Sequence, residues 1–522
     1  MKLPLEKLSP RIDKAWAVKE LWRPMLEQAY QYALPQRNLY TRQEKGGSKT
    51  DRVFDSTAIL STIRFANRLQ SDLTPPFQKW AKLQPGSAIP KEKKAEAAGI
   101  LDSVSETLFS AISMSNFDTA INELYLDLAT GTGAMLILEG DDEKPIRFVS
   151  VPNAQIALEE GPWGEIWSVF RKHPIKPRNI IHQWPDATIP EDLQERVDSD
   201  KDDEVTVDEI TYFDPEDKIW RYEVLWGKTE NNKNATARLV ERTYKVSPWV
   251  TPRWIKISGE VFGRGPLLTA LPDIKTLNAV VELILKNASL AVAGIFTGVD
   301  DGVLNPNTVK VVPGAVIAVA NNGGPKGASL QPLDRAGSFD VAQFILKEMR
   351  ESVKAMMMDK TLPPDTASPR SATEIVERMK ELQQDIGSPF GRLMTELIRP
   401  VINRSLSILS NRGLIQGEIV LNDLLVKISV TSPLAQTQNL SDIQSVVQWI
   451  QIVQSLGPQI MMLGARVEDI PEYIGDKMGT PTELMRTREE RDQMQKMIGQ
   501  QAANQLQEGG IGVGEVTQAI AA

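Results

Sequence analysis

The sequence predicts an α+β fold, mainly helical. Three observations predict it. Helical periodicity fills the N-terminal quarter and the C-terminal third, and β-branched, aromatic or alternating segments fill Gly131 to Ser258. Between them, Pro266 to Met358 reads as two amphipathic helices enclosing a β-rich loop.

Composition sets the bounds. The chain has 522 residues, enough for several domains, and its 41% apolar and 24% charged fractions suit an ordinary globular protein. A formal charge of −9 speaks against a surface that clamps nucleic acid throughout, because such binding neutralises phosphates with Lys and Arg. It is compatible with a channel in which DNA must slide. Cysteine is absent, so there are no disulfides or thiolate ligands, which fits a reducing cytoplasm. MKLPLEKLSPRIDKAW lacks the apolar core of a signal peptide. Leu277 to Val299 carries Glu282, Lys286 and Asn287 in mid-span, whereas a membrane span needs about 20 mainly apolar residues. A soluble chain without a membrane partner is expected.

Glu6 to Leu34 is helical in pattern, with a break expected near Pro10 and a bend near Pro24. Arg37 to Asp51, with Gly46-Gly47, reads as an exposed loop. Asp55 suits the N-cap of the next helix, whose apolar face would be Ile59, Ile63, Ala66, Leu69 and Leu73, and Pro75-Pro76 ends it. Lys91 to Met114 and Asn116 to Thr130 are two further helices. At Gly131 the pattern changes. GAMLILEG, IRFVSV, EIWSVFRKH, TVDEITYF, IWRYEVLW and ARLVERTYKV read as strands, with DDEKP, EEGPWG and FDPEDK as turns. The region to Ser258 is therefore mainly antiparallel β. Asp198 to Glu204 is an acidic run and reads as an exposed loop.

The first central helix runs roughly Leu267 to Val292, about 39 Å. Ile274, Leu277, Val281, Ile284, Leu285 and Ala288 form one face, and Lys275, Asn278, Glu282, Lys286 and Ser289 the other. The second runs roughly Asp340 to Met358. It aligns Val341, Ile345, Met349, Val353 and Met356 opposite Lys347, Arg350 and Lys354, with Glu351 beside them. Spacing alone allows a solvated charged face or a face that many copies present to a channel. VKVVPGAVIAV, inside the loop from Gly294 to Gly337, holds two short strands that would gain from pairing across subunits.

Beyond Met358, Pro363-Pro364 and Pro369 forbid regular helix and make a loop of about a dozen residues. Ser371 and Glu374 form a capping box. The helix it opens continues through Ile375, Met379, Leu382 and Ile386 to Arg412, kinked at Pro389 and Pro400 and stopped by Gly413. LLVKISV is a short strand and Asn439 to Leu456 a helix. The last helix, Pro481 to about Gln507, has a thin apolar stripe and is expected to pack against neighbours in an oligomer. The Gly-rich end reads as mobile.

Catalytic signatures are missing. GGSKT at Gly46 lacks the first glycine of a phosphate loop, and GTGAML at Gly131 and GRG at Gly263 complete no dinucleotide fingerprint. There is no nucleophile elbow. His173 and His182, the only histidines, read as structural or surface residues; with no cysteine a zinc site would have to rest on them plus carboxylates. No catalytic residue, cofactor or metal is expected, and the chain does not read as an enzyme.

Several stretches resemble the portal, or head-to-tail connector, proteins of short-tailed bacteriophages. They are YALPQRNLY at Tyr32, DSTAILSTIRFANRLQSDLTPP at Asp55, FDTAINELYLDLATGTGAMLI at Phe117, PRWIKISGEVFGRGP at Pro252 and LPPDTASPRSATEIVERMKE at Leu362. The likeness covers roughly Leu5 to Gly413, and the order of the motifs is more specific than any one of them. It implies a portal fold. Residues 1–265 would be a wing (helices 1–130, β region 131–258), 266–293 and 339–358 two stem helices and 294–338 a clip. Residues 359–370 would be a channel loop, 371–432 a long kinked wing helix with a return strand, and 433–522 a helical crown.

The resemblance further implies a homo-oligomeric, dodecameric ring at one capsid vertex of the virion, assembled in the host cytoplasm. Double-stranded DNA would pass through it in packaging and ejection without sequence reading. The clip would dock a terminase large subunit and then tail adaptor or tail proteins, and major capsid and scaffolding proteins would be further partners. On that reading Lys347, Arg350, Glu351, Lys354, Lys360 and Arg370 are candidates to lie near DNA. Asp300, Asp301, Lys310 and Lys326 are candidates for docking on the clip. Pairing of the cations with carboxylates between subunits is the competing reading. The runner-up function is another ring-forming virion component, a tail adaptor or scaffold-like protein without a DNA channel. A hydrolase or polysaccharide-binding tail protein would need paired carboxylates or a repeat, and neither is found.

Overall fold

The computed structural model describes residues 3–40, 50–90, 93–198, 204–227, 237–293, 296–298, 330–332, 339–359, 389–417, 423–431, 433–455 and 470–478, and residues 419, 421, 490, 494 and 497 singly. The fold is α+β and mainly helical.

Helix α1, Leu5–Ala33, runs unbroken through Pro10 and Pro24. The break expected at Pro10 does not form. Each proline removes one backbone hydrogen bond, but Leu8, Ile12, Ala15, Trp22, Leu26 and Ala29 bury one face along the whole length and hold the helix. Helix α2, Thr57–Leu73, has Ser56 at its N-cap position without a side-chain cap bond. Asp55 does the capping from one residue outside, taking the Thr57 N–H on Oδ1 at 2.9 Å. Its inward face is Ala58, Ser61, Thr62, Phe65, Ala66, Leu69 and Leu73. Ile63, expected inside, is exposed. Helices α3, Lys94–Met114, and α4, Phe117–Leu128, follow as expected. The sequence does not announce β1, Ala81–Pro85.

The β region divides into two sheets. One has the order β3-β2-β9, from β2 Met135–Glu139, β3 Ile146–Ser150 and β9 Trp249–Val250. The other is an antiparallel meander of β4 Ile156–Glu160, β5 Ile166–Ile175, β6 Val205–Asp214, β7 Ile219–Trp226 and β8 Ala237–Tyr244. Period-two alternation gives the meander two apolar faces. Leu8, Ile12 and Ala15 of α1 cover Ala157, Phe170, Ile210 and Leu225 on one. On the other, Ile180 and Trp184 at α5, Pro177–Gln183, and Leu193 of α6, Glu191–Asp198, cover Val205, Val207, Tyr222 and Val224. His173 lies 3.7 Å from the buried Glu209, and His182 is exposed on α5. Most of the acidic run, 199–203, lies outside the described residues.

The largest core joins the second half of α1 and helices α2 to α4 to helix α7, Pro266–Ala293, and the base of helix α8, Phe339–Met356. Beyond these two helices, β10 Phe296–Gly298 pairs antiparallel with β11 Leu330–Pro332. Farther on, residues 389–393 are helical, Met394–Ile398 forms a π-turn, and α9 spans Arg399–Asn411. The kink expected at Pro400 takes the form of this π-turn. Proline has no N–H to give the turn before it, and the wider turn absorbs the loss. Gly413 then ends the helix at φ +72°, as expected. Strand β12, Val426–Val430, returns to pair with β1, Ala81 opposite Val430. Helices α10, Pro433–Ser455, and α11, Ile470–Met478, complete the described elements. The predicted VKVVPGAVIAV strands, the proline-rich loop, the Ser371 capping box and the Gly-rich end lie outside the described residues, as does the Pro481 helix but for single positions. Among the described residues no helix is long and apolar enough to cross a membrane.

Candidate functional site: the α7–α8 pair and its root

Ile274, Leu277 and Val281 of α7 are buried in one core with Val353 and Met357 at the base of α8, and Leu346 and Met349 pack against it. Ser352 Oγ donates to Asp273 Oδ2 at 3.2 Å across the pair. The apolar faces read from spacing hold only near this root. Leu285 and Ile345 are exposed, as are Leu283 and Phe344.

Asn278, placed on the polar face by spacing, is buried. Its Oδ1 accepts the N–H groups of Phe54 at 2.9 Å and Asp55 at 3.2 Å, and its Nδ2 donates to the Ile274 carbonyl at 3.1 Å. A buried amide must fill its bonding capacity, and here it staples the strap before α2 onto α7. Its place on the helix was the available signal. It lies four residues after Ile274 and three before Val281, inside the buried arc.

The charged face of α8 divides. Arg350 turns back to its own chain, donating from Nε to Asp55 Oδ2 at 2.9 Å. Burial pushes the Asp55 carboxyl up, but its Thr57 bonds and the Arg350 guanidinium outweigh that and hold it below its ordinary value. Lys354 bonds Glu351 at 2.9 Å, and this bond holds the exposed Glu351 carboxyl low, with a smaller contribution from Lys347. Lys347 is exposed. Lys360, Arg370, Asp300, Asp301, Lys310 and Lys326 lie outside the described residues.

The end of α8 is closed by a Schellman motif. Met358 N–H bonds the Ala355 carbonyl at 3.0 Å, Asp359 N–H bonds the Lys354 carbonyl at 2.8 Å, and Met358 is left-handed at φ +58°. Asp359 is buried against α2, where Ser61 Oγ donates to Oδ2 at 2.8 Å and Arg64 pairs with it at 3.2 Å. Arg68 donates to the Met358 carbonyl at 2.9 Å. Sequence reasoning missed this cluster. Arg64 and Asp359 are 295 residues apart, and no periodicity links them.

The start of α7 is set by a glycine crossing. A Cβ on Gly263 would meet the Gly131 carbonyl oxygen at 2.3 Å, and one on Gly265 the Ala129 oxygen at 2.1 Å. Trp254 N–H bonds the Gly131 carbonyl at 2.8 Å and Leu267 N–H the Ala129 carbonyl at 3.0 Å, so two backbones run in contact. Among the described residues, no group of three His, Cys, Asp or Glu side chains is placed to hold a metal ion.

The chain is similar to named proteins over most of its length. It is 22% identical over 429 residues to a probable portal protein of Bordetella phage BPP-1, covering 74% of this chain and 70% of that one. The portal protein of Salmonella phage epsilon15 is also 22% identical over 429 residues, covering 78% and 75%. That of Escherichia phage T7 is 20% identical over 343 residues, covering 63% and 60%. Among solved structures, the neck of a native gene transfer agent particle computed with C12 symmetry aligns at 11% identity and a TM-score of 0.33, over 78% of this chain and 90% of that one. The family model described as bacteriophage head to tail connecting protein matches residues 5–485. With that span matched, the chain belongs to the bacteriophage head to tail connecting protein family.

Proposed function

We propose that this structural, non-enzymatic chain is a portal protein of the virion. It forms a homo-oligomeric, dodecameric ring at the capsid vertex where head joins tail, with double-stranded DNA passing through the centre. The family match over residues 5–485 carries the reading. The packed α7–α8 pair, with β10 and β11 joined just beyond it, supports its division into parts. Residues 1–265 are the wing, 266–293 and 339–358 the stem, 294–338 the clip, 359–370 the channel loop, 371–432 the kinked wing helix with its return strand, and 433–522 the crown. The clip docks a terminase large subunit during packaging and tail proteins afterwards. Assembly takes place in the host cytoplasm with capsid and scaffolding partners.

Duplex DNA carries one charge per ~1.7 Å of axis, and a strongly basic channel would hold it fast. The exposed face of α8 is mixed: Lys347, Glu348 and Glu351 are exposed, with Lys354 paired to Glu351. Such a face touches phosphates weakly and without sequence reading. Lys360 and Arg370 are further candidates near DNA. Asp300, Asp301, Lys310 and Lys326 are candidates on the docking surface. Arg350, bonded to Asp55, serves the fold of its own subunit first.

Electron microscopy of the purified protein should show rings with an open centre. A monomer, or a ring with a closed centre, overturns the reading. Replacing Lys347 and Lys354 together by alanine should lower the amount of DNA that filled particles retain; unchanged packaging and retention would remove the channel role of this face.

A further inference from the structure

We infer that Asp359 is the tongue of a latch tying the base of α8 to α2, and that the strained Met358 beside it lets the latch open locally. α2 and the strap before it hold the last two turns of α8 at two points. At one, Asp55 takes the Arg350 guanidinium, Nε to Oδ2 at 2.9 Å. At the other, Ser61 and Arg64 hold the Asp359 carboxylate at 2.8 and 3.2 Å, and Arg68 holds the Met358 carbonyl at 2.9 Å. Val353 and Met357 are buried between the two points.

The second point differs from the first in kind. Met358 sits at φ +58°, where the motif normally takes glycine. A non-glycine residue persists there only because its surroundings over-determine it. Those surroundings are mixed, with the main core on the Met358 side and polar, partly open bonds on the Asp359 side. The Arg64 side chain is 52% exposed. Beyond Met357 the turn has no fully buried apolar side chain, and Met358, partly buried, packs against the main core. A few charge-assisted bonds and the partial packing of Met358 therefore oppose one strained residue. Units of this make-up open locally ahead of the global fold. With the latch closed, the last turn of α8, which carries Lys354 and its bond to Glu351, is fixed relative to α2; Arg350, Ser352 and Val353 hold the turn before it in either case. The consequence for DNA rests on the channel reading above; the latch itself does not.

Hydrogen exchange followed by mass spectrometry on the intact protein without DNA tests the latch. Asp359→Ala, and the size-preserving Asp359→Asn, should speed amide exchange over residues 354–359 about tenfold, the factor for losing one charge-assisted hydrogen bond. Met358→Gly should slow it several-fold, because glycine removes the strain. Exchange in α9 should not change. If all three variants exchange like the wild type, or if the Asp359 variants speed exchange throughout the chain, the latch is overturned. In DNA-filled particles Asp359→Asn should change the fraction of DNA retained. Faster exchange with unaltered retention overturns the link to DNA, whereas loss of the open ring in the microscope overturns the portal reading and leaves the exchange result standing.

Discussion

Lys19 shows what a single residue does in this fold. It is 2% exposed on α1, its Nζ donates to Asn153 Oδ1, and it lies 4.4 Å over the Phe262 ring. Burial pushes its pKa down to about 7, against the opposing pull of Asp127 and Glu20. The unfolded chain keeps the ordinary value near 10.5. Between those two values the unfolded chain holds a proton that the folded chain has given up, so stability rises with pH across the window. The melting temperature should climb from pH 7 to about pH 9.5, below the range in which tyrosines titrate. Lys19→Met should flatten that climb, whatever it does to the absolute value. Calorimetry at several pH values reads the two slopes; equal slopes would show Lys19 charged inside the folded protein. Nothing in the sequence announced this residue. Its helix reads as amphipathic, and a lysine at the edge of the apolar stripe is usually solvated.

At the scale of elements, what was legible followed periodicity. The six strands read between Gly131 and Ser258 are all present, because successive side chains of a strand point to opposite faces and β-branched and aromatic residues suit that surface. What was missed is short or depends on distant partners. β4, Ile156–Glu160, and β1, Ala81–Pro85, have five residues each and take their edges from β5 and β12. α5 and α6 cover only one end of the meander. The site was less legible than the fold. Spacing placed Lys347, Arg350 and Lys354 on one face, but which of them bonds within the chain depends on Asp55, brought there by α2. The glycine crossing yields a prediction at this scale. Gly263 carries no positive φ, yet a Cβ would press on the Gly131 carbonyl at 2.3 Å, with Arg253 Cβ at 2.9 Å on the other side. Gly263→Ala must separate two backbones that carry hydrogen bonds, which should remove about 2–4 kcal/mol. Gly413→Ala, at φ +72° with open space around it, should cost only about 1 kcal/mol. Urea unfolding compares the two; a Gly263 variant no worse than the Gly413 variant would mean the crossing is loose.

Across the whole molecule, order along the chain and order in space part company. α1 packs its first half on the meander and its second half in the helical core. β1 pairs with β12 from the other end of the described chain. Arg253 ties the same distant parts at one point. It is 1% exposed and all five of its guanidinium N–H groups are used. They reach Glu160 and the Gly164 carbonyl at the β4–β5 hairpin, the Val261 carbonyl on the way into α7, and Glu396 in the π-turn. Its backbone N–H also bonds Glu396, at 3.0 Å. The meander, the root of α7 and the C-terminal third thus share one side chain. Removing it leaves two carboxylates partly compensated, since Lys256 stays at 2.7 Å from Glu160 and Arg392 at 2.9 Å from Glu396. Arg253→Ala should therefore cost about 3 kcal/mol, at the lower end for a broken buried pair. It should also split one cooperative melt into two, because the meander has its own apolar clusters on both faces and can outlast the rest. Glu396→Gln keeps one acceptor oxygen for Arg253 but turns its amide N–H groups toward the other donors, and should cost about 2 kcal/mol without splitting the transition. Differential scanning calorimetry separates these outcomes. A single transition in the Arg253 variant, shifted no more than in the Glu396 variant, would mean that the meander is held to the body by α1 and the apolar core alone.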